Sequence, residues 1–482
     1  MASTTGQRDN AVVEENRQPG TVDWQLQNCR FDDPVTLASY PLIRRLRSSA
    51  IEGYVSATSV YQGDSVDIKV SMDPPGAFTI DIYRMGYYGG MGGRHMGTLG
   101  PFTGRTQPVP MMTTERLREC EWESCTTLTV PDDWLSGVYL AKLVRNEFYG
   151  AQSYVIFIVK ERRRSDVLWQ LSDLTWQAYN RWPGNDSIYN DGTPNVWYGG
   201  PNVRVSFDRP YAKYCTIMDS PLSTGSGEFL LWEHPMAFWL EEQGYDVAYC
   251  SNVDLHQDTD VLDRCKVMLS VGHDEYWSRE MFESVSRARD DGMSVAFFSG
   301  NSVYHEIEPY DATTTGDFTR AFGRRRLFDD EETLMGVESF GTGYGDWTVT
   351  RPDHWVFEGT GMEAGESIRG LIGWEYHGAP ADVDGLEVVA SGPVLQPPEP
   401  EPQGPPHSAV VYPGAKGNWV FNAGTIWWPE GLSCPPGHIP ARHTVRPIKL
   451  DACPGTFGVD PRVQRITSNL LDRMIGESPR RW

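Results

Sequence analysis

The sequence predicts a chain of mixed class, all-β and then α/β: an N-terminal β-sandwich followed by an open, mostly parallel α/β domain. Apolar and polar residues alternate from about residue 51 to 160, and after Glu161-Arg-Arg-Arg164 short apolar strands alternate with helical stretches. The length of 482 residues agrees. A single core stops growing at roughly 250 to 300 residues, so a longer chain divides.

Residues 1–50 show no sustained periodicity and read as an extended entry segment. From Ile51 the period becomes two. Val66, Ile68 and Val70 alternate with polar neighbours, and Phe78, Ile80 and Ile82 repeat the pattern. Asp73-Pro-Pro-Gly76 and Tyr88-Gly-Gly90 supply turns, and Tyr139–Val144 and Tyr154–Val159 continue the alternation. Residues 51–160 therefore read as a sandwich of short antiparallel strands.

Residues 165–482 read as the α/β domain. Its predicted strands are Val167–Leu171, Tyr245–Cys250, Val267–Val271 and Val295–Ser299. Between them, Phe229–Glu242 carries Phe229, Trp232, Met236, Trp239 and Leu240 on one helical stripe, with Pro235 either kinking it or lying in a first turn. Met281–Arg289 is the next helix. Later strands are Trp347–Thr350, Leu386–Ser391, Ala409–Val411 and Trp419–Phe421; Pro397–Pro406 is a Pro-rich loop and Ile466–Ile475 a closing helix. Strands alternating with helices imply a sheet covered on both faces, of the flavodoxin/amidotransferase-like kind.

Charge narrows the function. With 42 basic against 65 acidic residues the net charge is −23, a field that repels nucleic acid. No stretch approaches the ~18 apolar residues of a membrane span, and Met1–Gly20 lacks the apolar core of a signal peptide, so a cytoplasmic location is expected. The eight cysteines show no Cys-x-x-Cys spacing and read as free thiols, although Cys434 and Cys453 could clip the C-terminal loop.

Ligands of open α/β sheets bind beyond the carboxyl ends of the strands. The segments there are Thr175-Trp-Gln-Ala-Tyr-Asn-Arg-Trp182, Gly272-His-Asp-Glu-Tyr-Trp277 and Gly300-Asn-Ser-Val-Tyr-His-Glu306. His273 and Glu275 are two apart, which in an extended turn aims both the same way and Asp274 elsewhere. A nucleophile elbow would need Ser or Cys between glycines at this turn. None is present, so water activated by a metal ion is the open route. Tyr179, Tyr189 and Tyr211 are the oxygen donors to add. Phenolate and carboxylate are hard anionic ligands that suit ferric iron (Fe3+).

These segments resemble a known family. Thr175-Trp-Gln-Ala-Tyr-Asn, Ser206-Phe-Asp-Arg-Pro-Tyr211, Ser270-Val-Gly-His-Asp-Glu-Tyr-Trp-Ser278 and Asn422-Ala-Gly-Thr425 are similar to the catalytic half of the N,N-dimethylformamidase large (beta) subunit. Ile51-Glu-Gly-Tyr-Val-Ser-Ala57 and Ile82-Tyr-Arg-Met-Gly-Tyr-Tyr-Gly-Gly90 resemble the β-rich domain that precedes it. The resemblance implies a metal-dependent amidohydrolase with a mononuclear iron. It makes Glu275 the carboxylate ligand, Tyr179 and Tyr211 the phenolic ligands with Tyr189 as alternative, and His273 the acid/base or orienting group. Glu375, in Gly373-Trp-Glu-Tyr-His377, becomes the general base, ahead of Glu430. It also implies a small amide substrate and either a small companion subunit or a homo-oligomer. Substrate identity does not transfer, because the loops Gly184–Asn202 and Tyr304–Phe328, which would wall the pocket, match least.

Two other readings compete. One is a carbohydrate or small-ligand binding module built on the Trp- and Tyr-rich loops. The other is a zinc hydrolase joining His273 and Glu275 to His377, His407, His438 or His443.

Overall fold

The computed structural model describes residues 8–32, 35–36, 43–44, 47–184, 186–191, 203–212, 223–310, 320–396, 401–402, 404–438 and 458–480. The chain is of mixed α/β class, with many strands in several sheets and few helices. Among the described residues no helix is long and apolar enough to cross a membrane.

The alternating segment forms two sheets. Ser59–Tyr61, Gln152–Lys160, Gly137–Arg145, Gly76–Met85 and Gly93–Gly104 lie side by side in that order, and Glu52–Val55, Ser65–Ser71 and Ser124–Thr129 form the second sheet. Pairing is antiparallel except where Ser59–Tyr61 runs parallel to Ile158–Lys160. The inward residues of the alternation meet in one core that includes Val66, Ile68, Val70, Phe78, Ile80, Ile82, Leu143 and Phe157. Each of those side chains is withdrawn from water because a period of two places it on the face toward the core. Before these sheets, the segment read as extended contains a short helix, Ala11–Asn16, which Asn10 caps by accepting from the amides of Val12 and Val13.

A seven-stranded sheet organises the rest. Its strands are β1 (Ser165–Leu171), β2 (Val247–Ser251), β3 (Cys265–Gly272), β4 (Ser294–Ser299), β5 (Glu387–Gly392), β6 (His407–Pro413) and β7 (Trp419–Asn422). The spatial order is β2-β1-β3-β4-β7-β6-β5. The first five are mutually parallel, β6 pairs antiparallel with β7, and β5 pairs antiparallel with β6. Strands β1 to β4 are almost wholly buried, as the unbroken apolar runs in the sequence require of strands covered on both faces.

The helices of this part include α1 (Asp173–Tyr179), α2 (His234–Glu242), α3 (Arg279–Asp290) and α4 (Pro461–Gly476). Helix α1 leaves β1 after one residue and is buried along its whole length. The stretch expected as one helix from Phe229 divides. Phe229–Glu233 is a π-type turn, and α2 follows with Pro235 at its start, where a missing amide hydrogen costs nothing. Helix α3 begins where the Ser278 hydroxyl accepts from the Met281 amide, and α4 begins at Asp460 with Pro461 behind it. Part of the Pro-rich loop Pro397–Pro406 lies outside the described residues, as do Cys453 and His443.

A buried ion pair fastens the first sheets to the α/β part. Arg84 donates to Glu241 of α2 at 2.8 and 3.0 Å, to the Tyr88 hydroxyl at 2.8 Å and to the Ser136 carbonyl at 2.8 Å. Both side chains of the pair are fully buried. Gly86 lacks a Cβ where one would collide with the Glu241 carboxylate. Removing one partner leaves the other charge stranded out of water. Arg84→Ala should therefore cost about 3–5 kcal/mol, read as a lowered midpoint in chemical denaturation.

Candidate metal centre

The turn that follows β3 carries the site. Gly272 has φ +72°, and a Cβ on it would lie 2.8 Å from Cβ of Trp232. Only glycine turns the chain there without strain and with space. His273, Asp274 and Glu275 then alternate as the sequence predicts. Asp274 points back into the strand ends, accepting from Gln170 at 2.7 Å, Ser270 at 2.7 Å and Asn252 at 3.2 Å. Burial pushes its pKa up to about 6, while those hydrogen bonds favour the carboxylate. It ties β1, β2 and β3 together at their carboxyl ends.

His273 and Glu275 face the opposite way. The amides of Glu275 and Tyr276 donate to the Thr175 hydroxyl at 3.0 and 3.2 Å, so α1 fixes the turn that β3 supplies. From the end of the same helix, Tyr179 donates to Glu275 Oε2 at 2.6 Å. Tyr189 donates to the Tyr179 hydroxyl at 3.1 Å, and Tyr276 makes a short hydrogen bond to Tyr189. Burial first, and then the Glu275 charge, hold the Tyr179 phenol well above its ordinary pKa.

Glu375 arrives from a separate strand, Glu375–Pro380. Its Oε2 accepts from Asn301 at 3.2 Å and lies 3.3 Å from His273 Nε2, which is 3.4 Å from Glu275 Oε2. On the other side of the ring, His273 Nδ1 is 3.1 Å from Glu228 Oε2. One imidazole thus meets three buried carboxylates. Burial opposes its positive charge, but Glu228 foremost, then Glu275 and Glu375, outweigh it and push the His273 pKa well above the usual histidine value. A second imidazole, His305, lies 3.4 Å from Glu275 Oε1. Burial holds its pKa below the ordinary value despite that carboxylate.

The donor set fits a cation. His273, Glu275 and Glu375 each offer one ligand atom within 4.8 Å of the others, the one such group among the described residues. His273 Nε2 is buried and makes no well-aligned hydrogen bond. Two ligands held about 2.0–2.2 Å from one ion stand roughly 3–3.5 Å apart, which matches the separations here. A positive ion would also offset the excess of carboxylates over imidazole, which burial makes costly.

The sequence-predicted residues divide by place. Tyr179, His273, Glu275, Glu375 and the alternative Tyr189 are brought together. Tyr211 is packed edge-on to Trp176 at 6.4 Å and lines a separate cavity with Tyr54, Asp173, Arg209 and Arg320. Glu430 is buried in the short helical turn Trp428–Gly431. Of the histidines named for zinc, His377 has both ring nitrogens occupied, by the Ser302 amide at 2.9 Å and Asn422 Oδ1 at 2.7 Å. His407 Nε2 meets the Ala423 carbonyl at 3.0 Å. Glu228 has no signal in the sequence, and Thr175 has only its place at the head of the segment flagged beyond the first strand. Asn301 and His305 lie in the segment flagged beyond the fourth strand, and that position was their only signal.

Beside His273 stands an apolar wall. Leu231, Trp232, Tyr344, Trp374, Ile426 and Trp427 form one buried cluster, and the rings of Trp232 and Trp374 lie 6.5 and 6.2 Å from the imidazole. Gly272→Ala should lower stability by about 1–3 kcal/mol through the left-handed φ and the clash with Trp232, measurable by thermal and denaturant unfolding.

A family model described as "N,N-dimethylformamidase beta subunit-like, C-terminal" matches residues 79–443. No curated protein matches the chain. Among solved structures, the mmIFT52 N-terminal domain is similar at 10% identity, covering 50% of this chain and 89% of that one, with a TM-score of 0.26.

Proposed function

We propose a function from one premise: this chain belongs to the N,N-dimethylformamidase beta subunit-like family. It is a metal-dependent hydrolase of the C–N bond of an amide, and the metal is a single iron. The observation that carries this reading is the convergence of His273, Glu275 and Glu375 beside a stack of phenols. We read residues 51–160 as a β-sandwich domain, 165–482 as a flavodoxin/amidotransferase-like catalytic domain and 1–50 as an entry segment.

Of the three residues whose donor atoms converge, we assign Glu275 as a ligand of the ion, together with Tyr179 and a second tyrosine, and leave His273 and Glu375 beside it for proton transfer. The 3.1 Å contact between Tyr189 and Tyr179 favours Tyr189 in that role, and Tyr211 is the alternative that substitution separates. Bound in such a site, a metal ion acts as a Lewis acid toward a carbonyl oxygen and makes water more acidic. The protein side chains do the rest. Glu375, oriented by Asn301, accepts a proton from the attacking water. His273, with Nδ1 beside Glu228, faces the reacting centre through Nε2 and passes a proton to the departing nitrogen. Water is thereby added across the C–N bond, giving a carboxylic acid and an amine. The apolar wall of Trp232, Trp374 and Trp427 supports a small apolar amide, and the carboxylates beside it disfavour an anionic substrate. A companion subunit or a homo-oligomer is part of the same proposal, as the family description names a beta subunit.

Elemental analysis with visible absorption tests the reading. Protein from iron-supplemented growth should carry about one iron per chain and a phenolate-to-iron band. Glu275→Ala should lose the metal. Tyr179→Phe should shift or remove the band, and of Tyr189→Phe and Tyr211→Phe only the ligand's variant should do so. A folded, colourless and metal-free protein contradicts it, and stoichiometric zinc would point to the zinc enzyme instead. On the metal-loaded protein, Glu375→Gln should reduce amide turnover by about 10²–10⁴-fold with metal content unchanged, the range a general base supplies.

A further inference from the structure

We propose that Glu228 is the positioning residue for His273. This rests on the reading that His273 acts at the amide through Nε2. Glu228 Oε2 is 3.1 Å from His273 Nδ1, and both side chains are fully buried. The same oxygen accepts from Trp232 Nε1 at 3.1 Å, and the Trp232 ring packs edge-on against the imidazole. One carboxylate oxygen therefore holds the ring and one of its walls together.

The local backbone explains how. Trp232 lies four residues after Glu228, and its amide donates to the Glu228 carbonyl at 3.1 Å as the chain enters the π-type turn Phe229–Glu233. Residues at that spacing share a face of the coil. Wide turns of this kind recur at functional sites because they re-aim side chains. Gly272 provides the matching space, since a Cβ there would collide with Trp232.

Commitment of Nδ1 to Glu228 leaves Nε2 as the nitrogen that faces Glu275 and Glu375. A half-turn of the ring would break the bond to Glu228 and present carbon to those two carboxylates. Tyr179, Trp232 and Trp374 close in on the imidazole from other directions. The second oxygen of Glu228, Oε1, is buried without a hydrogen-bond partner. The directed contacts of this carboxylate are those of Oε2, to the ring and to Trp232.

Crystal structures of full-length Glu228→Gln and Glu228→Ala, with metal content and amide kinetics of each, test this. The Gln carbonyl can still accept from Nδ1, so the His273 ring should keep its orientation in Glu228→Gln. In Glu228→Ala it should rotate or split over two orientations, with metal content unchanged. In turnover, Glu228→Ala should lose about 10–100-fold in kcat with KM little changed, and Glu228→Gln should recover part of that loss. A native-like ring in Glu228→Ala overturns the proposal, whatever the activity. If Glu228→Ala does not fold, Glu228→Asp, shorter by one methylene, must displace the ring, and a native orientation there overturns it equally. A ring that moves as expected in a protein whose native form hydrolyses no amide would sink the amidase reading and leave the positioning role standing.

Discussion

The structure is organised around a buried excess of negative charge. Glu228, Glu275 and Glu375 converge on one imidazole at 3.1 to 3.4 Å, with the side chains essentially out of water. Carboxylates in such a place repel one another, and desolvation penalises each. His273 answers only part of that charge, even with its pKa raised. A bound cation would offset the remainder, and the phenols of Tyr179 and Tyr189 offer further oxygen donors beside it.

Holding like charges together needs a stiff frame, and the sheet provides it. Strands β1, β2 and β3 end side by side, and Asp274 ties their ends through Gln170, Ser270 and Asn252. Helix α1 starts one residue beyond β1 and contributes Thr175 and Tyr179 to the same turn. Glu375 comes from a strand far along the chain from α1, and Asn301 beyond β4 holds it. The chemistry is thus assembled at strand ends, where ligands of parallel sheets bind. The Arg84–Glu241 pair anchors α2, directly after the turn that Glu228 precedes, to the N-terminal sheets.

Much of this was legible in the residues. Unbroken apolar runs gave β1 to β4 because a strand buried on both faces has no polar side to display. The His-x-Glu spacing told which two side chains face together and that Asp274 turns away. Tyr179 is legible as an oxygen donor from its place beyond the first strand, and Glu375 only through the family resemblance, which rests on motifs and not on periodicity. Glu228 was not visible, since nothing local marks a glutamate ahead of a helix as the partner of an imidazole 45 residues later. The break at Pro235 was legible as a choice between a kink and a first turn, but the π-type turn before it packs Trp232 against Gly272, a contact between distant parts of the chain that no local pattern marks. Between Tyr189 and Tyr211 the sequence had no means to decide, because the loop joining them sets the register and no periodic signal runs through it.

Anomalous X-ray diffraction at the iron edge, on crystals of protein grown with iron, addresses the metal centre most directly. One strong peak is expected within about 2.5 Å of the Glu275 carboxylate and of the Tyr179 oxygen. A fully refined structure with no peak there, or with a peak only at a distant surface site, would contradict an iron held by these residues.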